Sequence, residues 1–435
     1  MKGRVSVIVT ALVLGISVAF LNGDSSFSGA MAQEQEMGDA ASGEMYQSAG
    51  GDIVNNGQFF VKVKDKLYFH VPSRINLDYT SWFGSFAQYD YGDNMLYSYD
   101  FETDKVSRIG LKASYGYIYV LEDRLFTNFF TGTGMDRKIK AIAYDLSRPE
   151  DGYPQELVKS DNICAVDKDG KLLVTSIYSD SGIGLTAYTN TGKSYDIDNV
   201  TDCIMCDSER VFYITEPDYY GVSQIGLWEF NTTDKQTTFL GYLPDGSNVG
   251  DYYSFKHLTE DPERGKLYFT MNYYSGTTNE LSEAFFLSAD LGTEESLVCE
   301  DSIHDNPVGE DGDDPTAFRI DKDGKMQKDA QGEPFTATCD SLGRLVWYDA
   351  KCQKHVVEAN TNKHGAVRDE TGVLKEDPEI IEYIDGKIYV MRNVLERAKM
   401  DDQGWRMAYK RKEVRIYAVD VNTGEETDLF TLVRK

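Results

Sequence analysis

The sequence predicts an all-β fold: a β-propeller of seven blades, each with four antiparallel strands. Three observations lead there. One strand motif recurs seven times after residue 57, a second motif precedes most copies, and no stretch between them has useful amphipathic-helix spacing. Composition agrees, since 29 Tyr and 21 Phe are strand formers and 38 Gly against 10 Pro favour tight turns over linkers.

The chain begins with a targeting pattern. Lys2 and Arg4 precede an apolar run from Val5 to Leu21, and Ala30-Met31-Ala32 offers an A-x-A cleavage site, so residues 1–32 read as a signal peptide. An uncleaved membrane anchor is the competing reading, because the run is near the lower length limit for a spanning helix. No later run is apolar for long enough to span a bilayer, so an extracellular or cell-surface location is expected. Residues 33–57 are Gly, Ser, Ala, Gln and acidic, with little to bury, and read as a flexible tether. Residues 58–435 form the propeller domain.

The main motif is a strand ending in a hydrophobic pair, then Asp or Asn, then a turn. It reads LYSYDFETDK from Leu96, IAYDLS from Ile142, LTAYTNTGK from Leu185 and LWEFNTTDK from Leu227. FLSADLGTEE from Phe286, LVWYDAKCQK from Leu345 and IYAVDVNTGEE from Ile416 complete it. The preceding unit is a turn and an apolar strand: DKLYF from Asp65, GYIYV from Gly116, GKLLV from Gly170, ERVFY from Glu209, GKLYF from Gly265 and GKIYV from Gly386. The sixth repeat lacks a clear partner. Either GKMQK from Gly324 is a degraded copy, or the blade is built from Phe335 to Trp347, which leaves six or eight blades open. A four-stranded sheet cannot bury both faces alone, and radial packing around a channel buries them. The repeat of roughly 54 residues is slightly longer than known blade repeats. A β-helix and stacked sandwiches are the alternative architectures.

The alternation of G-K-[IL]-Y-[FV] with an L-Y-x-[YV]-D strand resembles the YWTD-type propellers of lipoprotein receptors. It is closer still to bacterial relatives grouped as domain-of-unknown-function 5050. The tetrad itself is replaced by sequences such as YFHV at Tyr68 and YFTM at Tyr268. The resemblance covers nearly everything after the tether and implies binding or scaffolding, with no catalytic residue carried over. Signatures of WD, kelch and sialidase propellers are absent.

A net charge of -28 argues against nucleic acid as a partner, because phosphates repel such a surface. Six cysteines at 164, 203, 206, 299, 339 and 352 permit disulfides without choosing among 15 pairings. Cys203 and Cys206 form one CxxC in a strand-like run, where alternation sends residues three apart to opposite faces, so they read as structural. Calcium is the one cofactor with a candidate motif. Asp167-Lys-Asp169-Gly170 and Asp321-Lys-Asp323-Gly324 look like EF-hand starts, but Ser176 and Ala330 stand where a bidentate Glu is required. They read more simply as Asp-Gly hairpin turns, and no cofactor is expected. The histidines 70, 257, 304, 355 and 364 show no metal spacing, and no GxSxG elbow occurs.

Loops between second and third strands are expected to converge on one face, and they are rich in aromatics and carboxylates. The candidate ligand-binding residues are Tyr79, Trp82, Tyr89, Asp90, Tyr178, Tyr219, Tyr220, Tyr273, Tyr274 and Trp405. Rigid aromatic planes beside carboxylates suit a glycan or peptide partner. The expected function is thus an exported binding or scaffolding protein. The alternatives are a carbohydrate-active hydrolase or lyase on the same face, and a structural envelope protein without a small ligand.

Overall fold

A computed structural model describes residues 58–433, apart from 73–77, 83–85, 88–93, 110–113, 132–137, 149–154, 159–161, 168, 180–181, 216–223, 249, 279, 305–314, 329–334, 350–352 and 398–405. The predicted signal peptide and tether lie outside the described residues. Those described contain strands and turns and no helix.

The first blade is built from Phe60–Val63, Lys66–Pro72, Asn94–Asp100 and Lys105–Arg108, each paired antiparallel with the next. The second runs from Ser114–Leu121 to Gln155–Leu157, the third from Asn162–Val166 to Ser194–Val200, and the fourth from Asp202–Cys206 to Thr237–Tyr242. The fifth runs from Tyr252–Asp261 to Val298–Ile303. The sixth has three strands, Ala337–Cys339, Leu345–Tyr348 and Lys354–Val356. The seventh is centred on Leu374–Ile384, Lys387–Arg397, Arg406–Asp420 and Glu426–Val433.

Strand alternation supplies each sheet with two apolar faces. In Lys66–Pro72, Leu67, Phe69 and Val71 pack toward the seventh blade while Tyr68 packs toward the second. Ile163 and Val166 meet Tyr119, Phe126 and Ala143 between blades two and three. Val174, Leu185 and Ala187 meet Val211 and Tyr213 between three and four. Phe212, Leu227 and Leu240 meet Phe269 and Met271 between four and five. Leu345 and Val357 meet Val390 and Val419 between six and seven. Phe60, Leu67 and Phe69 pack on Tyr389, Met391 and Ile416, joining the first blade to the seventh. The chain is a seven-bladed β-propeller. Each fully buried Leu, Val or Phe contributes about 1.5–3 kcal/mol, so the interfaces between blades carry the stability.

Polar and strand-pairing contacts also join the first and last blades. Glu382 of the seventh blade accepts the Phe59 N–H at 2.9 Å through Oε1 and the Phe60 N–H at 2.8 Å through Oε2. Lys62 pairs with Asp385 at 2.8 Å. A hairpin from the first blade's long loop, Asp78–Trp82 with Phe86–Ala87, lies beside residues 406–410 of the seventh, pairing Asp78 with Lys410 and Trp82 with Arg406.

The sixth blade follows the second of the two expected arrangements but has three strands instead of four. GKMQK sits in a separate hairpin, Arg319–Ile320 with Met326–Gln327, whose Phe318 and Ile320 pack on Tyr268 and Phe286 of the fifth blade. The blade itself is built from the segment around Phe335 to Trp347, and the LVWYD copy forms its second strand rather than a third.

Innermost strands carry β-bulges in several blades, including those between Ile163 and Ala165, Cys203 and Met205, Lys256 and Thr259, and Pro378 and Ile380. One bulge corrects the cysteine reading. The extra residue resets the alternation, so Cys203 and Cys206 face the same core against blade three while Met205 faces blade five. Burial pushes both thiols well up, so they are poor nucleophiles. Cys164, Cys203, Cys206, Cys299 and Cys339 are unbridged, and Cys352 lies outside the described residues.

Much of the acidity is spent on turns. Asp207 Oδ1 accepts the N–H groups of Glu209 and Arg210, and Asp340 Oδ1 those of Leu342 and Arg344. Asp321 takes those of Asp323 and Lys325, with Gly324 at φ 76°, and Asp167 takes that of Asp169, with Gly170 at φ 65°. Both EF-hand-like stretches are therefore hairpin turns.

Candidate functional site

Every four-stranded blade has the same strand order. Tight first-to-second-strand turns therefore lie on one face of the ring, and second-to-third connections share the other with links between blades. The fifth blade presents that loop face most completely. Tyr252 opens its innermost strand and Tyr274 closes the second; they pair across the sheet and stack at 5.3 Å with planes 15° apart. Asp251 beside them accepts the Ser282 hydroxyl at 3.1 Å and the Gly276 N–H at 3.3 Å. Burial against Tyr274 pushes the Tyr252 hydroxyl above its ordinary range.

Alternation separates two predicted neighbours. Tyr274 is half-buried at this corner. Tyr273 points the other way, into the core with Tyr253 and Phe285, and its hydroxyl donates to the Pro244 carbonyl at 2.9 Å. Its ring approaches to 2.6 Å of where a side chain on Gly246 would begin, so that position requires glycine. Tyr273 is a packing residue. Tyr79 and Trp82 lie on the hairpin strand joined to the seventh blade, opposite Tyr409 and Arg406. Tyr178 lies near the end of the third blade's second strand, opposite Ile183. Tyr89, Asp90, Tyr219, Tyr220 and Trp405 lie outside the described residues.

At the same corner Glu283, on the third strand, faces the end of the outermost strand. Its Oε1 lies 2.5 Å from His304 Nδ1, and His304 Nε2 lies 2.9 Å from Ser302 Oγ. Glu283 Oε2 accepts both the N–H and the hydroxyl of Ser247, at 2.9 and 3.1 Å.

A second aromatic array lies between the sixth and seventh blades. His355 stacks on Trp347 at 4.6 Å and 20°, Trp347 on Tyr383 at 4.9 Å and 11°, and Tyr383 on Phe335 at 6.1 Å and 27°. Asp349 anchors the far end through His355 Nε2 at 2.8 Å. Phe335 is 52% exposed and sits at φ 59°, a left-handed backbone that a bulky residue adopts only at a cost. Sequence reasoning missed this array because its rings come from separate strands and unite only when blades six and seven pack.

Charge is also concentrated on the opposite face, between blades four and five. Arg210 pairs with Glu260 at 2.8 Å, Glu229 at 3.0 Å and Asp207 at 3.2 Å. Burial, then a hydrogen bond that its protonated carboxyl donates to Asp207, raises Glu260 well above the carboxylate range. The shared Arg210 makes this a structural clamp between blades. Among the described residues, no group of three or more His, Cys, Asp or Glu is arranged to hold a metal.

No family model matches the chain, and no curated protein matches it. Solved structures similar to it include the β-propeller domain of the Trilobed protease from Pyrococcus furiosus. That match has 8% identity, covers 90% of this chain and 97% of that one, and has a TM-score of 0.38. An oligogalacturonate lyase in complex with manganese is 16% identical, over 73% and 82% of the two chains, at a TM-score of 0.34. A Mycobacterium tuberculosis puromycin-hydrolyzing peptidase is 11% identical, over 89% of this chain and 55% of that one, at 0.38. Likeness at this level carries nothing about function, and the fold rests on the sheets and cores described above.

Proposed function

We propose that this protein is an exported binding propeller for a glycan, held by ring stacking on aromatic platforms. One observation carries the reading: a four-ring stack that ends on Phe335, an exposed aromatic held in a strained backbone conformation. A stack of rings is stiff, so its end offers a flat apolar face at small entropic cost, which suits the C–H face of a sugar ring. Asp349 and His355 add polar partners at the far end of the stack. The overall charge of -28 disfavours polyanions and leaves neutral or cationic glycans as the ligand class.

The test is thermal melting and titration calorimetry of the full chain against a glycan panel, with peptides and calcium as comparators. A ligand present at about 100 times its dissociation constant adds roughly 2.7 kcal/mol of stability. Phe335→Gly separates function from folding, because glycine accepts a positive φ without strain while deleting the platform. The variant should melt no lower than the parent yet lose the glycan-induced shift. A shift unchanged in both Phe335→Gly and Trp347→Ala would remove this site from the reading.

A further inference from the structure

The loop-face corner of the fifth blade holds an arrangement that glycan stacking does not use. Ser302 and His304 stand two residues apart at the end of the outermost strand, so both side chains fall on one side of the sheet. Glu283 is buried, with Oε2 tied to the Ser247 N–H and hydroxyl, which leaves Oε1 aimed at His304 Nδ1. A carboxylate there assigns the imidazole proton to Nδ1 and leaves the Nε2 lone pair facing the Ser302 hydroxyl. Phe285 packs edge-on against the imidazole at 5.9 Å and helps to fix its plane.

Hydroxyl, imidazole and buried carboxylate in that order are the parts of an activated serine nucleophile. We infer that Ser302 is the nucleophile of an acyl-ester hydrolase, with His304 as general base and acid and Glu283 as its positioning residue. The substrate class is a short-chain acyl ester on a larger alcohol, because the relay lies on an outer strand with His304 exposed to solvent. Ser302 Oγ bonds to the acyl carbon and its proton passes to His304 Nε2. Collapse of the tetrahedral adduct breaks the ester C–O bond, and the alcohol leaves with that proton. Water then attacks the acyl-serine, giving a proton to Nε2. The acid is released as Ser302 Oγ recovers the proton. This inference stands independently of the glycan reading.

The test treats the full chain with a fluorophosphonate probe and with p-nitrophenyl acetate, and maps the label by mass spectrometry. Label is expected on Ser302, absent from Ser302→Ala, and slowed roughly 10²–10⁴-fold in His304→Ala. Glu283→Gln should lower kcat of ester hydrolysis and leave KM unchanged, because Glu283 touches His304 and not the substrate. Circular dichroism and melting curves check that each variant remains folded. A folded protein with no labelling above Ser302→Ala, or with hydrolysis unchanged in that variant, would overturn the inference.

Discussion

Glu382 shows how one side chain couples the seam between the first and seventh blades to pH. Burial pushes its carboxyl up to about 7 from an ordinary value of 4.5, against the lowering effect of the Phe59 and Phe60 N–H groups. The folded protein therefore holds a proton that the unfolded chain releases. This group's contribution to stability is complete below pH about 4.5 and is lost as pH rises through about 7. Glu382→Gln removes the titration while keeping a polar acceptor at the seam. Melting curves from about pH 5 to 8 should show the variant gaining on the parent as pH rises. A gap that stays constant would mean that Glu382 does not titrate in this interval.

At the scale of an element, the second strand of the seventh blade depends on a buried cation. Arg392 pairs with Glu376 at 2.7 Å and donates to the carbonyls of Lys363, His364 and Gly365, pinning the link between blades six and seven. The planar guanidinium reaches these acceptors as a fork, which a lysine ammonium cannot reproduce. Arg392→Met should cost about 3–5 kcal/mol in urea unfolding, with little recovery in Arg392→Lys. A loss below about 1 kcal/mol would show that solvent satisfies those carbonyls instead. Strand positions were largely legible in the sequence here, because Ile388 and Val390 alternate as any half-buried strand does. The role of Arg392 was not, since its partners lie in a link with no periodic pattern.

For the whole molecule, closure is the property that matters. Phe60 lies in the core joining first and last blades, and residues 59 and 60 give their N–H groups to Glu382. Deleting residues 1–57 should leave the melting temperature within about 2 °C, whereas deletion through Val63 should remove the cooperative transition, because a ring missing one seam exposes both flanking cores. Calorimetry of the two truncations checks this. Equal cooperativity in both would mean that the ring holds without its first strand.

The repeat count, the strand periodicity and the hairpin turns were readable from residue order, because alternation and turn chemistry are local. Asp340 and Asp321 bond to N–H groups two to four residues away, and Leu67, Phe69 and Val71 alternate regardless of what covers them. The candidate sites were legible only in part. Tyr273 and Tyr274 look equivalent in sequence, yet one is core and the other faces the loop side, because neighbours in a strand point opposite ways. Phe335, Trp347, Tyr383 and His355 meet only where two blades pack, and Ser302 and His304 gain Glu283 only from a neighbouring strand. Cys203 and Cys206 are buried structural residues as read, but the opposite-face expectation failed for a related reason: a single bulge resets the alternation that the linear spacing assumed. Short-range rules determine which residues form strands. Which strands become neighbours depends on closing a ring of seven sheets, and that depends on long-range packing.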